Sequence, residues 1–209
     1  MIKNSQREAL PDIAVCHIAC FPTSLSTKLG KTYVEKTLEW FLVNPNRFLF
    51  HVEQNGKVVG YCGGFVPVKP GDGSSSGMLQ YAFNEAVKGL LKNPFLLLHS
   101  EVRSQYKFIW LNIKRRLTGK LIPMQKATEQ VAPMSHVGLV VIGVHPAFRG
   151  KGIAQQLMKE FEDRARSYKK NELILSVKTG NSTAINAYKK AGWTTKQQQE
   201  KTFVMHKLI

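Results

Sequence analysis

The residues best placed to do chemistry lie in Val144-His-Pro-Ala-Phe-Arg149-Gly150-Lys151-Gly152-Ile153-Ala154. Arg149 and Lys151 set two cations beside Gly150 and Gly152, and glycine lets a backbone come close to a ligand. A helix starting here would add N–H groups without intrahelical partners and the positive end of its macrodipole. Together these features suit a phosphate or diphosphate group. The same glycines also suit an ordinary tight connection, and a Gly-x-Gly alone does not separate the two readings. Some way upstream, His136 has a reference pKa of about 6.5 and could accept a proton near neutrality. A strand-end histidine is also a common structural residue.

These residues need elements to hold them. The run Val137-Gly-Leu-Val-Val-Ile142-Gly143-Val144 is rich in β-branched residues and predicts a buried strand entering the turn. Ile153, Leu157, Met158, Phe161, Ala165 and Tyr168 recur at spacings of three and four, predicting the helix that leaves it. Glu172 to Val177 is a strand short of polar residues, as expected for a covered parallel neighbour joined by a right-handed crossover. Thr183 to Lys190 predicts a short helix with Gly192 as its C-terminal cap, and Lys201 to Ile209 a final strand.

Upstream, Leu10 to Phe21 and Thr32 to Val43 predict amphipathic helices, joined by a Ser/Thr-rich loop at residues 22–30. Gln54-Asn55-Gly56 marks a hairpin between strands at Arg47–Glu53 and Lys57–Val66, with His51 and Glu53 on one face by period two. Residues 67–77 form a Pro/Gly/Ser segment. A helix follows over Leu79 to Leu91. A longer one places Phe95, Leu98, Val102, Tyr106, Ile109, Ile113 and Leu117 on one face, flanked by Arg103, Lys107 and Lys114. Such a helix suits packing on the sheet, a lid over the site, an oligomer seam or an anionic membrane surface. Residues 121–133 are read as a return loop.

Composition narrows the class. A chain of 209 residues with 43% apolar and 21% charged residues is ordinary for one soluble domain. No apolar leader opens the sequence and no run approaches the roughly 20 residues that span a bilayer, so a cytoplasmic setting is expected, with membrane contact at most peripheral. Cys16, Cys20 and Cys62 are an odd number without Cys-x-x-Cys spacing, and read as buried free thiols, with no metal site. The net charge of +16 attracts polyanions; residues 67–133 alone hold ten Lys and Arg against four Asp and Glu. Nucleic acid is disfavoured as a partner, because the aromatics interleave with apolar rather than basic residues.

Arg149-Gly-Lys-Gly152-Ile-Ala154 resembles the Arg/Gln-x-x-Gly-x-Gly/Ala signature of the GNAT family of N-acetyltransferases. Twenty-seven residues after Ala154 begins Asn181-Ser-Thr-Ala-Ile-Asn-Ala-Tyr188-Lys-Lys-Ala-Gly192-Trp193. It is similar to that family's second signature, with Trp for Phe. The resemblance covers residues 134–209 well, 1–66 loosely and 67–133 not at all.

It implies a single domain over 1–209 of mixed αβ type, a GNAT-type acyl-CoA N-acyltransferase fold. A helical insertion at about 67–133 would lie between the third and fourth strands. It further implies acetyl transfer from acetyl-CoA to a primary amine. The cofactor would be held by Ile142, Gly143 and Val144 on the fourth strand, by Arg149, Gly150, Lys151, Gly152, Ile153 and Ala154 in the turn, and by Asn181. A main-chain N–H among Ile142–Val144 would meet the thioester oxygen, and Tyr188 would face the cofactor sulfur as a proton donor. Many relatives carry a glutamate early in the fourth strand, where Gly138 stands here, which leaves His136 as the candidate base. The loop at 22–30 and the insertion further resemble acetyltransferases of bacterial surface polysaccharide synthesis, which implies an amino sugar on a nucleotide or lipid carrier. A protein amine or small-molecule amine is the alternative acceptor, and an acyl-CoA-binding module without catalysis the alternative role.

Overall fold

Asn55 and Gly56 both have positive φ, 50° and 72°, the conformation that a two-residue hairpin turn demands. They join β2 (Arg47–Gln54) to β3 (Lys57–Phe65) as expected. The computed structural model describes residues 1–68, 75–103, 106, 110 and 135–209. Around that hairpin it builds a seven-stranded sheet with β1 (Ile2–Asn4), β4 (His136–Val144), β5 (Glu172–Lys178), β6 (Thr194–Gln198) and β7 (Thr202–Leu208), in the order β1-β2-β3-β4-β5-β7-β6. The pairing of β4 with β5 is parallel and every other pairing antiparallel. The mixed αβ sheet read from the sequence is therefore the observed one.

The described helices are α1 (Leu10–Cys20), α2 (Leu25–Leu29), α3 (Lys31–Glu39), α4 (Ser75–Tyr81), α5 (Phe83–Lys92), α6 (Ser100–Arg103), α7 (Ile153–Ser167) and α8 (Ser182–Lys190). The apolar stripe of α7, Ile153, Leu157, Phe161 and Ala165, packs on one sheet face against Phe48, Phe50, Val137, Leu139 and Leu173. On the other face α1 and α3 bring Ile13, Ala14, Val34, Leu38 and Phe41 onto Leu49 and Tyr61. Each layer buries the stripe its periodicity announces. The three cysteines are free and buried.

Several boundaries differ from expectation. The loop at 22–30 contains the short helix α2, because Ser24 accepts from the Thr27 N–H and caps a new turn. The helix expected over 79–91 breaks at Ala82 into α4 and α5. Its apolar face packs on α2 and α3, with Leu29, Tyr33, Ala82, Ala86 and Leu96 in one cluster, instead of on the sheet. The α-helix expected from Phe95 begins as a 3₁₀ turn, Pro94–Leu98. Its tighter winding leaves Phe95 and Leu98 exposed and turns Leu96 inward. Ile109, Ile113, Leu117, Lys107 and Lys114 and the return loop at 121–133 lie outside the described residues.

A bulge between Val52 and Glu53 breaks the alternation expected for His51 and Glu53. The buried His51 Nδ1 bonds Ser5 Oγ at 2.9 Å, and Glu53 pairs with Lys3 at 2.6 Å. Two strands escaped the sequence reading. The three residues of β1 are too few for a period, and β6, Thr-Thr-Lys-Gln-Gln, is polar and exposed throughout.

Candidate active site

The sheet opens along β4. Its antiparallel ladder with β3 runs to Val144↔Gly60, whereas its parallel ladder with β5 stops at Leu139↔Leu175. Beyond that point β5 stays paired with β7 as far as Lys178↔Thr202. A wedge therefore separates Val140–Val144 from the end of β5, at the carboxyl ends of two parallel strands, where open αβ sheets bind ligands. The His145 N–H donates to Val59 O at 2.9 Å. Main-chain donors alternate sides along a strand, so the N–H groups of Val141 and Gly143 face β3, and those of Ile142 and Val144 face the wedge.

At its mouth, Pro146–Phe148 form a 3₁₀ turn whose first N–H groups are steadied by His145, with Nδ1 accepting from the Ala147 N–H at 3.3 Å. His145 thus belongs to the turn, as its place before Pro146 suggests. Arg149 Nε folds back onto Val144 O at 3.3 Å, and the Lys151 ammonium lies 5.0 Å from the Phe148 ring centroid. Gly150 and Gly152 have φ of 75° and 76°, a conformation that side chains resist. Gly152 is the N-cap of α7, and no side chain caps the helix. The first intrahelical bond is Gln156 N–H to Gly152 O, so the main-chain amides of Ile153, Ala154 and Gln155 are left for an outside acceptor. Gly150, Lys151 and Gly152 are exposed, while the Ile153 side chain is buried in the core and contributes only its amide. Free amides at a helix N-terminus, with two cations next to them in the chain, suit a diphosphate.

The other end of the second motif closes the wedge. Asn181 N-caps α8 by accepting from the Ala184 N–H at 3.2 Å, and stands just past β5 on the same sheet edge as the cradle. Gly192 (φ 86°) ends α8, with the Trp193 N–H reaching back to Tyr188 O at 3.0 Å. Tyr188 is half-buried, with its ring 5.9 Å from Trp193. Burial pushes its hydroxyl well above the ordinary value, and Cys62 adds to the rise. Tyr188 packs against the same core cluster as Ile142 and Val144 of β4.

The structure does not bring His136 into this cluster. It opens β4 opposite Glu172, in the closed part of the ladder, eight residues before Val144, or about 26 Å along an extended strand. Burial lowers its pKa, with Glu172 opposing and Lys196 and Lys170 assisting. Position 138 could not hold a glutamate as the strand stands: a Cβ there would lie 2.0 Å from the Phe65 ring.

A polar cluster that the sequence did not reveal borders the opposite face. Tyr61 is the ladder partner of Gly143. His17 Nδ1 lies 2.5 Å from the Tyr61 hydroxyl and its Nε2 2.9 Å from Ser26 Oγ. Burial drives the His17 pKa down to about 4. Residues 44 apart give no spacing signal, and the Ser/Thr-rich loop was the only hint. Helix α6 also reaches this edge, where Glu101 accepts from Lys178 Nζ at 2.5 Å. A separate open cleft of about 510 Å³, lined by Asn4, Phe41, Arg47, Phe48 and Arg164 among others, lies over β1 and β2 and shares no residue with the wedge.

Residues 103–193 match the family model described as Acetyltransferase (GNAT) family. The match covers less than half of the chain, and marks that segment as similar to GNAT acetyltransferases. An uncharacterized N-acetyltransferase, YdgE, of Bacillus subtilis (strain 168) is 36% identical over 61 residues, 29% of this chain. That match spans only 39% of the relative's length. The fold is similar to that of PaiA N-acetyltransferase from Thermoplasma acidophilum in complex with coenzyme A, with a TM-score of 0.59, 11% identity and coverage of 100% of this chain and 98% of that one. The ribosomal-protein-S18-alanine N-acetyltransferase from Escherichia coli gives a TM-score of 0.58 at 14% identity, covering 100% and 93%. A GNAT family acetyltransferase from Brucella melitensis in complex with acetyl-CoA gives 0.54 at 13%, covering 100% and 87%. The likeness spans both chains, so the GNAT architecture extends beyond the matched segment.

Proposed function

We propose that this chain is an N-acetyltransferase of the GNAT type that takes its acetyl group from acetyl-CoA and delivers it to a primary amine. The observation that carries the reading is the wedge beside β4, with an amide-and-cation cradle at its mouth and Tyr188 on its wall. Acetyl-CoA supplies a thioester whose acetyl carbon is open to an amine. The cradle at Arg149–Ala154 holds the diphosphate, and Asn181 lines the arm that runs into the wedge. The N–H of Ile142 or Val144 would donate to the thioester oxygen as negative charge grows there, as a preorganised donor. Tyr188 would give its phenolic proton to the departing sulfur, and the proton lost by the amine nitrogen would pass back, directly or through water, to restore the phenol.

The acceptor side is bounded by α2, by His17 with Ser26, and by α6. A phosphate-bearing acceptor, an amino sugar on a nucleotide or lipid carrier, fits the chain's +16 charge. A polycationic amine would be repelled by it. The test follows thiol release from acetyl-CoA over free amino sugars, their nucleotide-linked forms, simple amines and peptides. Turnover confined to phosphate-linked amino sugars is expected. Turnover with peptides alone would overturn the acceptor assignment, and release with none of them would overturn the enzyme reading.

A further inference from the structure

The stretch from α5 into the 3₁₀ turn exposes large apolar side chains that no element among the described residues covers. Leu91 is 77% exposed, Phe95 80% and Leu98 74%, and Leu97 adds a smaller share. The geometry sorts them. The 3₁₀ turn Pro94–Leu98 repeats every three residues, so Phe95 and Leu98 stand on one side while Leu96 is buried against Leu29, Tyr33 and Ala86. Gly89 lets α5 sit hard on α2, since a Cβ there would meet Leu29 O at 2.5 Å. The exposed residues therefore sit on a segment packed against α2 and α3. Contiguous exposed apolar surface rimmed by charge marks an interaction site.

The rim says which partner. Of the acids on this segment, Glu85 is paired with Lys88 at 2.8 Å and Glu101 with Lys178 at 2.5 Å. Lys92, between Leu91 and Phe95, and Arg103 are exposed cations without an ion-pair partner among the described residues. Behind them stands a chain of +16. Exposed apolar side chains with exposed cations close by in the chain match a bilayer surface, where the apolar groups enter the acyl boundary and the cations meet anionic headgroups. Among the described residues no helix is long and apolar enough to cross a membrane.

We propose that Leu91, Phe95 and Leu98, with Lys92 and Arg103, dock this protein on anionic phospholipid bilayers. The inference goes beyond acetyl transfer and does not depend on it. The experiment is co-sedimentation of the full chain with vesicles of phosphatidylcholine, with and without phosphatidylglycerol, beside light scattering for the mass in solution. Binding to the phosphatidylglycerol vesicles is expected, with about tenfold less bound to phosphatidylcholine alone and a comparable loss in Phe95→Ser/Leu98→Ser. Lys92→Glu should weaken binding with the same melting temperature as the parent chain, and Leu91→Ser serves as a second apolar variant if the double variant melts early. Coenzyme A affinity should be unchanged throughout, which keeps this result separate from the fate of the acetyltransferase reading. Absence of binding to phosphatidylglycerol vesicles would overturn the proposal, as would undiminished binding by both the apolar variant and Lys92→Glu. So would a dimer in light scattering that the serine variants abolish without any lipid binding, which would assign the patch to a second copy of the chain.

Discussion

Tyr188 illustrates how much one side chain's surroundings decide. Burial holds its hydroxyl protonated far above neutral pH, which suits a donor and rules out a base. Tyr188→Phe removes one oxygen from a half-buried ring and should leave coenzyme A affinity within about twofold. It should cut kcat by about a hundredfold, measured by thiol release. His17 makes the complementary prediction on stability. Its folded pKa of about 4 lies below the unfolded value of about 6.5. Between these values the unfolded chain binds the extra proton, so stability is intact above about pH 6.5 and falls as pH drops toward 4. The loss is on the order of 3 kcal/mol. Urea melts at stepped pH should show this decline, and His17→Gln should flatten part of it, while the lowered His51 and His136 contribute the same sign. Of these residues, Arg149 to Ala154 and Tyr188 were legible because their spacing along the chain is the signal. His17 was not, because its partners are brought to it by the sheet.

The elements were legible where periodicity had length to act. The fifteen residues of α7 and the nine of β4 announce themselves. The three residues of β1 and the wholly polar β6 carry no pattern, and exist because β2 and β7 offer them open ladders. The apolar period around Phe95 and Leu98 misled, since a 3₁₀ turn rotates the same residues to the outside. The N-terminus of α8 offers a test that separates holding a helix from holding a ligand. Asn181→Ala removes the bond from the Ala184 N–H and should cost about 1 kcal/mol of stability. Asn181→Asp keeps the cap and should restore the melt. If Asn181 also lines the cofactor arm, the Asp variant still binds coenzyme A more weakly, because a carboxylate cannot donate and meets other negative groups. Recovery of both properties together would make Asn181 a cap alone.

Across the molecule, one feature of topology generates the site: β4 keeps its partner on one side to Val144 and loses the other after Leu139. Helix α7 begins at the end of this strand with its first amides unpaired, and α8 brings Tyr188 onto the core cluster that Ile142 and Val144 also touch. The charge of +16 adds a long-range pull on phosphates that salt should screen. The ordered pair of motifs pointed to this end of the sheet before any geometry, whereas the family match begins only at residue 103 and leaves α4, α5 and the 3₁₀ turn to be read from exposure and charge. The most direct measurement is calorimetric titration of the chain with coenzyme A at low and raised salt, repeated on Arg149→Glu/Lys151→Glu. One-to-one binding that weakens with salt and falls at least about tenfold in the double variant is predicted. A flat titration of the parent chain, or equal affinity in the charge-reversed one, would contradict the claim that this cradle grips a diphosphate.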